Sequence, residues 1–100
     1  MSYHITLHPL ALQEMEESYQ WYEERLAGLG NQFIVALQKR IDKIAEMPDL
    51  HPKKKGAFRE VTIKGFPFTI IYEIFEKQKV VLISYVFHTK RDPKLKYKKR

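Results

Sequence analysis

The sequence predicts an α+β fold of two layers, in which a helical hairpin packs on one face of a small antiparallel sheet. Three observations predict this fold. Apolar residues recur at helical spacing in two segments between residues 9 and 47, and a short break with two glycines separates these segments. After Pro48 the apolar residues gather in short, nearly continuous runs that are typical of strands. One hundred residues suffice for a single domain, 1–100, with the element order β-α-α-β-β-β.

The first three elements are predicted from periodicity and from the residues that end them. Residues 3–7 alternate apolar and polar side chains, which predicts a short strand that His8-Pro9 ends. The first helix carries an apolar stripe at spacings of three and four, formed by Leu12, Met15, Tyr19, Tyr22 and Leu26. The second helix runs from about Asn31, a candidate cap, to Pro48, and its stripe is formed by Phe33, Leu37, Ile41 and Ile44.

The remaining elements are predicted to form a meander of three strands. A basic loop over residues 49–57 precedes strands at about residues 58–63, 68–75 and 80–86. Gly65-Phe66-Pro67 supplies the first turn. The second and third strands are almost continuously apolar, so we expect each to be covered on at least part of both faces. The lysine-rich residues 94–100 are expected to form a basic, flexible tail.

Composition and motifs exclude several classes of function. The absence of cysteine excludes a disulfide framework and a zinc–thiolate site. His4 and His8 have no clustered carboxylates, and the sequence has neither a glycine-rich phosphate loop nor a nucleophile elbow, so we expect no metal and no cofactor. No apolar run approaches the ~20 residues of a membrane span, and no signal peptide is visible. We therefore expect a cytoplasmic protein without a membrane partner.

Charge is distributed unevenly along this basic chain, whose net charge is +6. Residues 1–24 carry five glutamates and no lysine or arginine, and we expect these glutamates to form a solvated helix face. All 18 basic residues lie in residues 25–100, against seven acidic ones, which gives that part a surplus of eleven positive charges. Such a field attracts acidic partners, either nucleic acid or an acidic protein segment.

His88 and Arg91 form the one candidate chemical pair in the sequence. A histidine serves as a general acid or base near neutral pH, and an arginine holds a phosphate, so the pair would suit cleavage of RNA by its own 2′-hydroxyl. A structural role is the alternative. In that case Asp92 pairs with Arg91 or caps the turn before Pro93, and His88 donates a hydrogen bond to a backbone carbonyl.

Several short motifs are spread over nearly the whole chain, namely His8-Pro9-x-Ala11, Trp21-Tyr22-x-x-Arg25-x-x-Gly28-Leu29-Gly30-x-x-Phe33, Ile41-x-x-Ile44-x-x-x-Pro48, Phe58-Arg59-Glu60, Phe68-x-Ile70-x-Tyr72 and His88-x-x-Arg91-Asp92. In their order and spacing these motifs resemble the ParE/RelE superfamily of toxins from bacterial type II toxin–antitoxin systems, also called plasmid stabilisation proteins. The resemblance implies a helical hairpin against an antiparallel sheet and a cognate antitoxin whose C-terminal segment wraps the toxin. It also implies heterotetramers or larger complexes with that antitoxin.

The resemblance leaves the molecular target open between two branches. RelE-like members are ribosome-dependent mRNA endoribonucleases, whereas ParE-like members poison DNA gyrase. The positions at which the RNase members carry basic residues correspond to Glu60, Thr62 and Thr69, none of which is cationic. An enzyme that acts on phosphodiesters without those cations lacks its main transition-state stabilisers. One feature favours the RNase branch, since Tyr97 follows Arg91 in a basic-then-tyrosine arrangement that some RNase members show.

The sequence therefore predicts a ParE-like toxin that acts by binding, with gyrase as the expected target. The candidate target-binding residues are His88, Lys90, Arg91, Lys94 and Arg59. The runner-up is a RelE-like endoribonuclease with His88, Arg91 and Tyr97 as catalytic residues. A third interpretation is a non-toxic nucleic-acid-binding module that uses the basic loop and tail.

Overall fold

The computed structural model describes residues 2–100, which form two helices and five strands. The strands are β1 (His4–Leu7), β2 (Lys53–Lys55), β3 (Phe58–Thr62), β4 (Phe68–Phe75) and β5 (Val80–His88). The helices are α1 (Pro9–Arg25) and α2 (Leu29–Glu46), and short 3-10 turns lie at Pro48–Leu50 and Pro93–Leu95. The predicted α+β fold of two layers, with the helical hairpin on one face of the sheet, is confirmed.

The sheet has the order β1-β5-β4-β3-β2. Strands β3, β4 and β5 form the predicted antiparallel meander. The sheet is mixed and not wholly antiparallel, because β1 pairs with β5 in parallel, from His4 opposite Val80 to Leu7 opposite Ile83. Parallel neighbours need a long connection between them, and the helical hairpin and the meander supply it.

A short edge strand replaces part of the predicted basic loop. In β2, Lys53 pairs with Arg59 and Lys55 with Phe58 at the start of β3, and the register shifts between the two lysines. A run of lysines has no alternation of apolar residues, so the sequence gives no sign of a strand. Pairing with β3 defines β2, and exposed lysines on an edge strand hinder pairing with another chain.

The main core lies between the hairpin and the sheet. The stripe of α2 is buried as predicted, and its side chains belong to one apolar cluster with side chains of β4 and β5. The stripe of α1 differs from the prediction. Leu12 and Leu26 are exposed, and the buried side chains of this helix are those of Ala11 and Tyr22. The Tyr72 hydroxyl donates a 2.7 Å hydrogen bond to the Pro48 carbonyl, and burial raises the pKa of Tyr72 to about 12.

The start of α2 is capped by a side chain of α1 and not by Asn31. Gly28 takes a left-handed conformation, with φ of 90°, and α2 begins at the next residue. The Glu23 carboxylate accepts hydrogen bonds from the amides of Gly28 (3.2 Å), Gly30 (2.8 Å) and Asn31 (3.3 Å). A carboxylate at a helix N-terminus satisfies free amides and complements the dipole. Glu23 therefore fixes the corner of the hairpin and is not merely solvated.

A second, smaller apolar cluster lies on the other face of the sheet. It consists of Phe58, Ile71, Tyr85 and Phe87, with Tyr97 packed against it. The segment 96–100 crosses this face, and the Tyr85 hydroxyl donates a 2.8 Å hydrogen bond to the Lys98 carbonyl. In this structure the residues predicted to form a basic tail thus contact the sheet.

Candidate functional site

A groove of about 580 Å³ lies between α1 and the end of β5. It exists because β1 pairs with β5 only as far as Ile83, so residues 84–88 of β5 extend beyond their neighbour. Helix α1 packs across this part of β5. The groove is lined by Leu10, Gln13, Glu14, Glu17, Ser18, Trp21, Tyr22, Phe68, Val86, His88 and Arg91. It brings the predicted pair His88 and Arg91 together with a carboxylate of α1.

Glu14 is the centre of a hydrogen-bonded ion cluster at this groove. One carboxylate oxygen, Oε2, accepts from Arg91 and from Arg100, each at 2.6 Å. The other, Oε1, accepts from the amide of Val86 at 2.9 Å and from Arg100 at 3.0 Å. The Val86 amide belongs to the part of β5 beyond β1, so Glu14 satisfies a donor that has no strand partner on that side.

The cluster keeps Glu14 ionised. Burial by itself raises the pKa of a carboxyl group, but the hydrogen bonds from Arg100, from the Val86 amide and from Arg91 outweigh that effect and lower the pKa of Glu14. The same contacts keep Arg100 charged. Burial lowers the pKa of Arg100, but its hydrogen bonds and ion pair with Glu14 raise it above its ordinary value. The expectation that the glutamates of α1 form only a solvated face is therefore wrong for Glu14.

Arg91 is held in place by Glu14 and by the turn after β5. Its backbone amide donates to the His88 carbonyl at 3.0 Å, and its guanidinium carbon lies 4.7 Å from the centre of the Phe87 ring. Its side chain stays 36% exposed, so Arg91 is only partly covered by these contacts. Asp92 does not pair with Arg91; it caps the next turn by accepting from the Lys94 amide at 3.0 Å.

His88 lines the groove beside Phe68. Its Nδ1 accepts a 3.0 Å hydrogen bond from the Lys90 amide, and its ring meets Phe68 edge-on at 4.9 Å between centroids. In this arrangement a neutral ring carries its proton on Nε2. The sequence-based alternative, in which His88 donates to a backbone carbonyl, is not observed. The half-buried ring instead accepts from the backbone.

The other predicted site residues lie outside this groove. Arg59 donates from Nη1 to the His51 carbonyl at 2.6 Å and holds the segment before β2. Lys90 and Lys94 are exposed in the turns after β5. Tyr97 packs on Phe58 on the other sheet face, with 5.9 Å between ring centroids. The structure therefore joins His88 with Arg91 but does not bring Tyr97 beside them.

On the second sheet face lie Glu60, Thr62 and Thr69, the positions at which RNase members of the resembled superfamily carry basic residues, together with a further carboxylate, Glu73. Glu60 forms a 3.4 Å ion pair with Lys96, and the buried Glu73 forms one of 3.0 Å with Lys99. Thr62 and Thr69 are opposite each other on β3 and β4. The cations near these carboxylates thus belong to the segment after β5 and are paired with them.

Sequence reasoning missed Glu14 as a site residue, although a weak signal was present. Glu14 follows Ala11 by three residues and precedes Ser18 by four, which places it on the face of α1 that Ala11 buries. Trp21, another lining residue, is 51% exposed, and the guanidinium carbon of Arg25 lies 3.5 Å from the centre of its ring. An exposed tryptophan in a groove is a common anchor for a protein partner.

Two further classes of site find no support within residues 2–100. No group of three or more potential metal ligands occurs in this part of the chain. No helix within the same residues is long and apolar enough to cross a membrane.

The fold is that of the small toxins of type II toxin–antitoxin systems. A structure of the chromosomal ParDE system from P. aeruginosa matches with a TM-score of 0.76 and 11% identity, over 89% of this chain and 98% of that chain. The isolated RelE toxin of E. coli matches with a TM-score of 0.70 and 18% identity, over 92% of this chain and 89% of that chain. The archaeal RelE–RelB complex from Pyrococcus horikoshii matches with a TM-score of 0.53 and 16% identity, over 92% of this chain and 100% of that chain.

The family follows from the sequence. A comparison with curated proteins gives no significant match. The family model for the ParE toxin of the type II toxin–antitoxin system parDE matches residues 5–93. The chain therefore belongs to the ParE toxin family, and the predicted membership of the ParE/RelE superfamily is confirmed.

Proposed function

We propose that this toxin stops growth in the cytoplasm by binding its target, with DNA gyrase as the target, and not by cutting RNA. The observation that carries the proposal is the ion pair between Arg91 and Glu14, at 2.6 Å. An arginine that stabilises a phosphodiester transition state must offer its donors to the phosphate. Here the guanidinium is shared with a carboxylate whose pKa is lowered, so it stays paired at neutral pH.

The second face of the sheet supports the same proposal. A sheet surface that binds the RNA backbone needs a positive field. On this face the carboxylates of Glu60 and Glu73 form ion pairs with Lys96 and Lys99. The positive charge of these two lysines is therefore offset by carboxylates of the sheet. The groove between α1 and β5 instead offers the exposed Trp21 and Leu10 and the partly exposed Arg91. An aromatic side chain, an aliphatic side chain and an arginine are the residue types that dominate protein–protein contacts.

A cognate antitoxin is the second partner in this proposal. We expect it to hold the toxin inactive in a heterotetramer or a larger complex, and to bind through an acidic amphipathic segment. The surplus of positive charge from Arg25 onward supports an acidic partner, and a disordered segment that folds on binding covers a large surface.

The test of this function combines growth with two biochemical assays. The chain is expressed from a tightly repressed promoter, and survivors are counted with soluble protein confirmed. Purified protein is then assayed for inhibition of gyrase supercoiling and for cleavage of ribosome-bound mRNA. We expect growth arrest and loss of supercoiling with intact mRNA. Cleavage of mRNA without an effect on gyrase would favour a RelE-like RNase, and normal growth with nucleic-acid binding would favour a non-toxic binding module.

A further inference from the structure

Arg91 and Arg100 share the carboxylate of Glu14, and they share it unequally. Arg100 binds both oxygens as a fork, with Nη1 on Oε1 at 3.0 Å and Nη2 on Oε2 at 2.6 Å. Arg91 makes one bond, from Nη1 to Oε2 at 2.6 Å. Only 11% of the Arg100 side chain is exposed, against 36% of the Arg91 side chain. The more buried arginine therefore holds the bidentate position, and the more exposed one makes a single contact.

The carboxylate of Glu14 has no place for a second bond from Arg91. An ionised carboxylate offers about four lone-pair positions. Arg100 occupies two of them, the Val86 amide occupies a third at 2.9 Å, and Arg91 occupies the fourth. A guanidinium carries several N–H groups, and within residues 2–100 that of Arg91 makes no other hydrogen bond. Its remaining donors are therefore left for a partner outside the chain.

The position of Arg100 depends on contacts between its own segment and the second sheet face. Arg100 also donates to the Ser84 carbonyl at 2.9 Å, and the Tyr85 hydroxyl donates to the Lys98 carbonyl at 2.8 Å. Tyr97 takes a left-handed conformation, with φ of 66°, which is strained for a bulky residue. The contacts that follow Tyr97 must offset this strain. Arg100 is thus one of the groups that keep the segment on the sheet.

We propose that Arg100 is a positioning residue for Arg91, because it occupies the places on Glu14 that Arg91 would otherwise take. With Arg100 present, Arg91 makes one bond to Glu14 and offers its other donors to the groove. Without Arg100, two lone-pair positions become available, and the fork of Arg91 closes on both oxygens of the carboxylate. The inference rests on the proposed function, in which Arg91 contacts the target.

The same arrangement links the second sheet face to the groove. Segment 96–100 is held on that face by the ion pairs of Lys96 with Glu60 and of Lys99 with Glu73. A change that lifts the segment from the sheet removes Arg100 from Glu14 and so alters the pairing of Arg91. Coupling between separate sites is carried by contiguous contacts, and the shared carboxylate supplies that contact here.

The test observes the guanidinium of Arg91 in the full chain. Wild type and variants are labelled with ¹⁵N-arginine, and the Nε–H resonance of Arg91 is assigned by its absence from the spectrum of Arg91→Lys. Arg100→Gln is expected to shift this resonance and to slow rotation about the Nε–Cζ bond of Arg91, since a second bond to the carboxylate restrains the guanidinium. Arg100→Lys keeps a cation but not the fork, so an intermediate effect is expected.

A matched control separates the shared carboxylate from the loss of a charge. Lys96→Gln removes one positive charge from the same segment, but Lys96 pairs with Glu60 and not with Glu14, so the Arg91 resonance should stay in place. Each variant is then assayed for inhibition of supercoiling. Arg100→Gln is expected to weaken inhibition about tenfold, which corresponds to one charge-assisted hydrogen bond, whereas Lys96→Gln should leave it unchanged. If Arg100→Gln impairs folding, Arg100→Lys decides the comparison.

Three outcomes would overturn the inference. An Arg91 resonance that is the same in wild type and Arg100→Gln would show that Arg100 does not position Arg91. An equal shift in Lys96→Gln would reduce the effect to a loss of charge. A shifted resonance with unchanged inhibition would separate the pairing of Arg91 from target binding. Because the spectra need no gyrase, a wild-type chain that does not inhibit supercoiling contradicts the proposed function, while the spectra still decide whether Arg100 positions Arg91.

Discussion

The guanidinium of Arg100 lies on the carboxylate of Glu14, with two hydrogen bonds of 2.6 and 3.0 Å between residues that are 86 positions apart. Arg100 also donates to the Ser84 carbonyl at 2.9 Å, and its guanidinium carbon lies 3.7 Å from the centre of the Tyr85 ring. The pair thus ties the segment after β5 to α1 and to the end of β5. Because Arg91 shares the same carboxylate, one side chain of α1 organises both arginines.

Removal of the charge of Glu14 is expected to destabilise the fold. Glu14→Gln keeps the shape of the side chain but leaves two arginines without their carboxylate, which costs about 2–3 kcal/mol of unfolding free energy. Urea unfolding monitored by circular dichroism measures the loss. Glu17→Gln on the exposed face of α1 is the control, and we expect it to change stability by less than about 0.5 kcal/mol. Equal effects of the two variants would contradict the role of the cluster.

The contribution of Glu14 to stability is expected to depend on pH. Its pKa is lowered in the folded state, so the unfolded chain binds more protons in the acid range and stability rises with pH there. The contribution is fully present above the ordinary glutamate pKa of about 4.3 and is lost as the pH falls through the lowered folded value. The difference in unfolding free energy between the wild type and Glu14→Gln should therefore shrink below about pH 4. A difference that stays constant from neutral to acid pH would contradict this mechanism.

Replacement of His88 separates a binding toxin from a catalytic one. If the toxin acts by binding, His88→Ala leaves most of the growth arrest intact, because no proton transfer is needed. If it is an RNase, the same change lowers the cleavage rate on the order of 10²–10⁴-fold. Both activities are measured on variants whose circular dichroism matches the wild type. Cleavage of mRNA that disappears with His88→Ala, beside unchanged supercoiling, would rule out the proposed function.

Replacement of Arg91 tests whether its partly exposed side chain contacts the target. We expect Arg91→Ala to weaken inhibition of supercoiling, because both the contact and the pair with Glu14 are removed. Arg91→Lys keeps a cation that reaches Glu14 but loses the planar fork, so partial activity is expected. Lys77→Ala, which removes an exposed cation from the turn between β4 and β5, is the control. A loss of activity with Lys77→Ala that equals the loss with Arg91→Ala would point to general charge and not to a specific contact.

The corner of the helical hairpin is expected to depend on Glu23. Glu23→Ala leaves three amides at the start of α2 without an acceptor, and loss of a cap costs about 1 kcal/mol. Glu24→Ala changes the neighbouring exposed glutamate and is expected to have little effect on the unfolding midpoint. If both variants unfold at the same denaturant concentration, the Glu23 carboxylate does not stabilise the corner in solution.

Association with the antitoxin is expected to be steered by charge. The rate constant measured by stopped-flow fluorescence should fall steeply as salt is raised, since screening shortens the reach of the positive field. Trp21, which is 51% exposed, offers an intrinsic probe of the encounter. A rate constant that stays flat from low to high ionic strength would refute the electrostatic part of the proposal.

Local patterns predicted much of the fold. The stripe of α2, the stop at Pro48, the turn at residues 65–67 and the meander all appear in the structure close to their predicted places. These features follow from hydrophobic period and backbone preference, which act between residues near one another in the chain. Strand β2 was missed for the same reason, because three consecutive lysines have no apolar period and take strand form only through pairing with β3.

The sequence by itself determined the family, the two layers and the pair His88 and Arg91 at the end of the sheet. Only the tertiary structure decided which side chains surround that pair. The carboxylate that holds Arg91 comes from a helix 77 positions earlier in the chain, and Arg100 reaches the same carboxylate from the other direction. The periodicity of apolar residues along the chain gives no sign of such a contact. An ion pair forms wherever folding places opposite charges within reach, and that distance is set by the packing of α1 across β5.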